Sequence, residues 1–229
     1  MIKLDNRLKV IYDMVRNGKK VIDVGSDHGY LISKLLLDEK CTSGVCTDIN
    51  IKCLKKAELL AESYNLKNKI KFYNTDGLKN ISCDECEDVV IAGMGSELII
   101  KIIDRCSWLK QNNDKHLILQ PMLKPWLLRE YLYKNGFEII KEELTCSKNF
   151  FYIVISAKYC NTKKERSDSE KYIGLLLENK NEYTKNYFIM LAKKFENIAL
   201  NILNNSNDIQ KFNYYKKLSE ALNYKIKEL

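Results

Sequence analysis

Short apolar runs and longer helical stripes alternate along most of this chain. Residues 4–17 place Leu4, Leu8, Ile11, Tyr12 and Val15 on one helical face, and Gly18 closes that helix. Strands are expected at 21–24, 44–48, 70–73, 88–92 and 116–120, with helices over 29–38, 51–65 and 96–106 between them. The run 88–92 reads as apolar throughout, as a parallel strand buried on both faces should. Pro121 stops the fifth strand, and a helix over 124–134 ends at Asn135-Gly136. Two more strands follow at 137–140 and 150–155. The link between them, around 145–149, is too short for a crossover helix, so this pair is expected to be antiparallel. The alternation predicts an α/β fold, a mostly parallel sheet covered by helices.

The pattern changes near residue 160, and no strand is expected beyond it. Phe188, Leu191, Phe195, Ile198 and Ile202 are spaced 3, 4, 3, 4, a narrow coiled-coil seam. A polar turn at 204–208 separates it from a second seam of Phe212, Tyr215, Leu218, Leu222, Ile226 and Leu229. Two such helices around a short turn predict an antiparallel hairpin. The expected domains are therefore 1–159 and 160–229.

Composition adds a few exclusions. With 229 residues, 45% hydrophobic and 30% charged, and only 9 glycines and 2 prolines, the chain is an ordinary globule rather than a disordered or fibrous one. No apolar stretch is long enough to span a membrane, and the segment from Ile2 to Arg7 lacks a signal peptide's apolar core, so a cytoplasmic protein with no membrane partner is expected. Eight cysteines suit that compartment as free thiols. Cys83-Asp84-Glu85-Cys86 is the only C-x-x-C; with no second pair or histidines nearby it reads as a loop, and no metal is expected. The net charge is +8, with 25 basic and 21 acidic residues over 1–159 and 13 against 9 over 160–229. From charge alone, a polyanion partner and a general lysine-rich usage stand equally.

The chemistry begins at Asp23-Val24-Gly25-Ser26-Asp27-His28-Gly29-Tyr30. An acidic strand tip, glycines, and a helix start are how α/β folds hold a nucleotide-like cofactor. The spacing is Gly-x-x-x-Gly rather than Gly-x-Gly-x-x-Gly, so no pyrophosphate cradle is present and a smaller adenosine cofactor is indicated. Asp48, with Ile49 after it, ends the second strand, where a carboxylate accepts two bonds from a ribose diol or caps the next helix. Asp76-Gly77 suits the adenine amino group or a plain turn. Ala92-Gly93-Met94-Gly95 lies at the carboxyl end of the fourth strand, where open sheets bind ligands. The Pro-Pro-aromatic run with which many amine-modifying enzymes grip an exocyclic amine is missing there; a nucleophile that must lose a proton would want a base, whereas a ring nitrogen with a free lone pair needs mainly positioning.

Leu4-Asp5-Asn6-Arg7-Leu8, the loop from Asp23 to Leu31, Asp76-Gly77-Leu78, Ile91-Ala92-Gly93-Met94-Gly95 and Leu119-Gln120-Pro121 together resemble the bacterial tRNA (adenine-22, N1)-methyltransferase family. The resemblance implies a Rossmann-like, seven-stranded class I methyltransferase sheet with a C-terminal helical hairpin that helps hold tRNA. It implies transfer of a methyl group from S-adenosylmethionine to N1 of an adenosine in tRNA; a monomer is expected. Residues 23, 25, 26, 29, 30, 48, 49, 76, 77 and 92–94 would then meet the donor. Arg7, Gly95, Gln120 and Pro121 would meet tRNA, with Asp27 and His28 at the reacting centre. Asp27 has the alternatives of capping a helix or meeting the donor's amino group, and His28 of a structural hydrogen bond. Tyr30 has that of core packing, Arg7 of a surface ion pair, and Gln120-Pro121 of a plain strand end. Ser96 stands where the family usually has glycine, and Met122 where asparagine often follows Gln-Pro. Outside this reading stand a methyltransferase for another RNA position or a small molecule, and a non-catalytic RNA-binding protein.

Overall fold

The computed structural model describes residues 2–111, 114–178, 180–206 and 208–229. They fall into two compact units, Met1–Glu165 and Arg166–Leu229.

The first unit is a seven-stranded sheet. In chain order it runs α1 (Asn6–Met14), β1 (Lys19–Val24), α2 (Tyr30–Leu37), β2 (Cys41–Asp48), α3 (Ile51–Ser63), β3 (Ile70–Asn74), β4 (Asp88–Met94), α4 (Ser96–Arg105), β5 (His116–Pro121), α5 (Pro125–Lys134), β6 (Phe137–Ser147) and β7 (Phe150–Tyr159). The strand order is β3-β2-β1-β4-β5-β7-β6. β1 to β5 pair in parallel, and β7 is antiparallel to both β5 and β6. The chain winds outward from β1 toward β3, then returns to β4 and winds the other way. The carboxyl ends of β1 and β4 are therefore neighbours at the switch point. Ile22, Val89, Val90, Ile91, Ile118 and Leu119 are fully buried, as strands covered on both faces require.

Three departures from the sequence pattern have physical causes. Helix α1 starts later than expected, where the Asp5 side chain accepts from the Leu8 N–H at 2.7 Å, and ends at Met14 rather than Gly18. Val15 turns extended, and the Arg16 N–H and Nε then bond the two Asp88 carboxylate oxygens at 2.8 and 2.7 Å. Asp88 is thus a buried, paired charge at the head of β4, which the apolar reading of 88–92 missed; Arg16 and His116 hold its carboxyl below the usual range even though burial opposes them. Finally, β6 and β7 are longer than expected. Thr145, Cys146 and Ser147 lie in the ladder rather than the link, because Lys148 (φ 49°) and Asn149 (φ 66°) close a two-residue turn whose left-handed backbone matches the strand twist.

Arg129 on α5 and Glu142 on β6 form a fully buried pair, Nε to Oε1 2.7 Å. Removing one partner strands the other's charge, so Glu142→Ala is expected to cost about 3–5 kcal/mol. Urea unfolding measures this, and a loss below about 1 kcal/mol would contradict the pair's role.

The second unit contains a helix absent from the sequence reading, α6 (Asp168–Ile173), started by a reciprocal Ser167–Glu170 cap. Helices α7 (Thr184–Asn205) and α8 (Ile209–Ile226) follow and pack together. Phe188, Leu191 and Phe195 are buried, as are Leu218 and Leu222, and Ser219 Oγ donates to the Ala192 carbonyl at 3.1 Å. Further along α7, Ala199 takes the buried position while Ile198 and Ile202 are half-buried, because a 3.6-residue turn drifts away from a strict heptad. Asn207, within the expected turn, lies outside the described residues.

Candidate active site

Past β1 the chain turns sharply at Gly25 (φ 76°), where the N–H groups of Gly25 and Ser26 donate to the Thr47 carbonyl at 2.8 and 3.1 Å. The loop is thereby tied across the end of β2. Gly29 (φ 69°) then starts α2, and a Cβ there would lie 2.9 Å from Ala57 Cβ on α3, so both conformation and packing demand glycine. Beneath this loop is Asp23. Burial raises its carboxyl from 3.8 to about 6, against the opposing Ser26 hydroxyl and Arg7 charge and with help from Asp48. The fold therefore holds a carboxylate short of solvation, beside an open cleft of about 380 Å³.

The opposite wall is the end of β4. Ala92 pairs with Gln120 and Met94 with Pro121, so Gly93 (φ 76°) is an extra residue, a bulge in a parallel ladder. Its N–H, freed from the ladder, donates to Gln120 Oε1 at 3.0 Å. The same oxygen accepts from Arg7 Nη1 at 2.9 Å, and a Cβ at Gly93 would sit 3.5 Å from that nitrogen. Gln120 is fully buried and its amide nitrogen donates to the Pro121 carbonyl at 2.9 Å and contacts Met122 Sδ at 3.6 Å. Arg7, Asp23, Gly25, Ser26, Asp27, His28, Gly29, Tyr30, Ala92 and Gly93 all line the one cleft.

Asp27 and His28 pair at the rim, Oδ2 to Nδ1 2.8 Å. Lys56 Nζ stands 3.5 Å from His28 Nε2. Lysine only donates, so Nε2 accepts and Nδ1–H faces Asp27. The Asp27 carboxyl is held below its usual range chiefly by the Cys53 thiol, with burial opposing and His28 and Lys56 assisting. His28 and Tyr30 rings lie nearly parallel, centroids 5.4 Å apart. Cys53 and Lys56, both on α3, carry no sequence signal for this role; they arrive because α3 packs on Gly29.

Asp48 Oδ1 accepts from the Asn50 N–H at 2.7 Å, and Ile49 is 74% exposed. Asp76 is exposed, pairs with Arg105 at 3.2 Å, and lines a separate cavity with Leu78 and Ile102; Gly77 (φ 64°) packs on Ile102. The two departures named above both lie just past the carboxyl ends of β4 and β5. Ser96 Oγ lies 2.8 and 2.9 Å from the carbonyls of Leu123 and Lys124, directly after Met122. Gly95 precedes α4 in extended conformation. Cys83 is exposed and Cys86 buried, with their carbonyls turned to Lys115. Among the described residues no group of three or more His, Cys, Asp or Glu side chains could hold a metal, and no helix is long and apolar enough to cross a membrane.

The cleft fits an adenosine-type methyl donor. Its volume is within the roughly 300–1,000 Å³ of small-molecule sites. Its floor is a buried carboxylate suited to a hydroxyl or ammonium, and its loop turns at glycines where a Cβ would meet Met94 or Ala57. A methyltransferase-domain family matches residues 4–155. The chain is similar to the tRNA (adenine(22)-N(1))-methyltransferase of Bacillus subtilis, 31% identical over 69% of this chain and 66% of that enzyme. The crystal structure of the B. subtilis tRNA methyltransferase specific for N1 of adenine 22 superposes with a TM-score of 0.87 at 26% identity, covering 99% of this chain and 100% of that one. A Streptococcus pneumoniae protein in complex with S-adenosyl-L-methionine superposes at 0.83 with 25% identity, covering 99% and 100%.

Proposed function

The chain belongs to the methyltransferase-domain family and to its tRNA (adenine-22, N1)-methyltransferase group, and we propose from that premise how its cleft works: it methylates N1 of adenosine 22 in tRNA using S-adenosylmethionine. The observation that carries the reading is the joining of Asp23 and the Gly93 bulge in one cleft at the sheet's switch point.

The bound donor supplies a methyl carbon already activated by a sulfonium. N1 of adenine carries a lone pair and no proton, so the protein's task is alignment and electrostatics rather than proton abstraction. That task suits the groups present. Asp23 supports a donor hydroxyl or amino group from the cleft floor. Asp48 spends one oxygen on the Asn50 N–H and presents the rest of its carboxylate beside exposed Ile49, an arrangement suited to a ribose edge and an adenine face. The adenine ring gains positive charge as it is methylated, and a carboxylate at the rim, Asp27, held below its usual range chiefly by Cys53 with His28 and Lys56 assisting, suits the stabilising of that charge. With both its nitrogens engaged, His28 orients Asp27 rather than moving a proton. N1 is on the Watson–Crick edge, so the base must leave its stack to reach the cleft.

Mass spectrometry of nucleosides from tRNA incubated with enzyme and labelled donor is expected to show 1-methyladenosine, mapped to position 22. A label at any other atom would refute the assignment. Asp48→Ala is expected to weaken donor binding about tenfold by calorimetry and leave tRNA affinity unchanged. A larger loss for tRNA than for donor would remove the ribose role.

A further inference from the structure

We propose that Met122 and Leu123 form an apolar ledge against which the face of the target adenine packs, and that Ser96 sets the ledge. The inference rests on the function proposed above and adds the means of holding the base.

Three observations carry it. Met122 is 45% and Leu123 68% exposed, two adjacent large apolar side chains in water at the carboxyl end of β5. Single exposed apolar residues are ordinary, but this pair sits on a turn held at both ends. The Met122 N–H donates to the Met94 carbonyl at 2.8 Å, and the buried Ser96 hydroxyl is shared between the Leu123 and Lys124 carbonyls at 2.8 and 2.9 Å. Between those ties Lys124 adopts φ 53°, ψ 51°, a left-handed conformation costly for a residue with a Cβ, and its ammonium is held by Glu97 at 2.9 Å. The strained backbone is thus fastened in the geometry that turns Met122 and Leu123 outward.

The second point is what Gln120 leaves unread. Its oxygen accepts from Arg7 and Gly93, and its nitrogen donates to Pro121 and contacts Met122. Gln120 is a saturated strut between the cleft and the ledge, not a reader of the base edge. Recognition beside it therefore falls to a surface that packs on the ring face, and purine faces are apolar enough to pack on Met and Leu. Finally, the occupant follows from position. The ledge is joined to the Gly93 wall of the cleft through Gln120, whose Oε1 accepts from the Gly93 N–H and whose amide nitrogen contacts Met122 Sδ at 3.6 Å, so a ring packed on it lies beside the cleft.

The test uses the full chain, unmodified tRNA transcript and S-adenosylmethionine. Met122→Ala/Leu123→Ala is expected to lower kcat/KM for tRNA about tenfold or more, with KM for the donor within about twofold and an unchanged melting temperature, since both side chains are exposed. Leu123→Met should retain most of the activity lost in Leu123→Ala, and Ser96→Ala should lower kcat/KM for tRNA in the same direction. In a binding assay with S-adenosylhomocysteine, wild type should prefer tRNA with adenosine at position 22 over the same tRNA with an abasic site there, and the double variant should bind both equally. Wild-type kcat/KM or a retained preference in the double variant overturns the ledge while leaving the proposed function standing. Failure of wild type to methylate adenosine 22 removes that function, and the ledge with it.

Discussion

Asp23→Asn is expected to lower methyl-donor affinity at least a hundredfold and, at the same time, to stabilise the free protein above pH 6. Both effects arise from one buried charge. The carboxyl's folded-state value, about 6, lies above its value of 3.8 outside the fold, and burial is the main cause. A carboxyl raised by folding contributes stability below pH 3.8 and loses it as the pH rises through 6, because the folded state must then hold the charge in a poorly solvated place. The loss is on the order of 2–3 kcal/mol, from a shift of about two units at roughly 1.4 kcal/mol each. Asparagine keeps the shape without the charge. The gain over wild type should therefore be small near pH 4, grow between pH 4 and 6, and level off above. Urea unfolding at pH 4.5 and 7.5, with calorimetry of donor binding, measures both halves. A variant that binds donor normally, or that is less stable than wild type at pH 7.5, would show that Asp23 is not the strained floor of the site.

Removal of residues 166–229 is expected to lower tRNA affinity about tenfold to a hundredfold and leave donor affinity within twofold. The removed unit carries 11 basic and 8 acidic residues, so its charge excess is modest. Placement matters more. Lys193 and Lys194 share an outward stretch of α7 with Met190 and Asn197, a basic and amphipathic face. Lysine contacts to phosphate release counterions, so the truncation should also flatten the dependence of tRNA affinity on salt. Filter binding across a salt series measures it. Unchanged affinity and slope would assign tRNA binding wholly to residues 1–165.

Much of this was legible in the chain. The alternation of apolar runs and helical stripes identified every strand of the sheet, and Gly25, Gly29 and Gly93 marked the turns that frame the cleft. Those signals are local: a buried parallel strand must be apolar, and a left-handed backbone favours glycine. Element ends were less legible. Helix α1 stops early because of Asp88, 72 residues further on, and β6 and β7 extend because of a turn whose chemistry is weak in Lys-Asn. Helix α6 was missed because six residues are too few to show a period, although Ser167-x-x-Glu170 was there to be read.

The sequence by itself determined the sheet, the cofactor class and the glycine loop after β1, since each depends on residue type at fixed spacing. Only tertiary structure decided which neighbours those residues have. It joined Arg7, Gly93 and Gln120 through a single oxygen. It paired Asp27 with Cys53 and His28 and brought Lys56 to the far nitrogen of His28, set Asp76 against Arg105 in another cavity, and buried Asp23 deeply enough to raise its carboxyl. These are contacts between elements far apart in the chain, and their strength depends on burial, which packing alone creates.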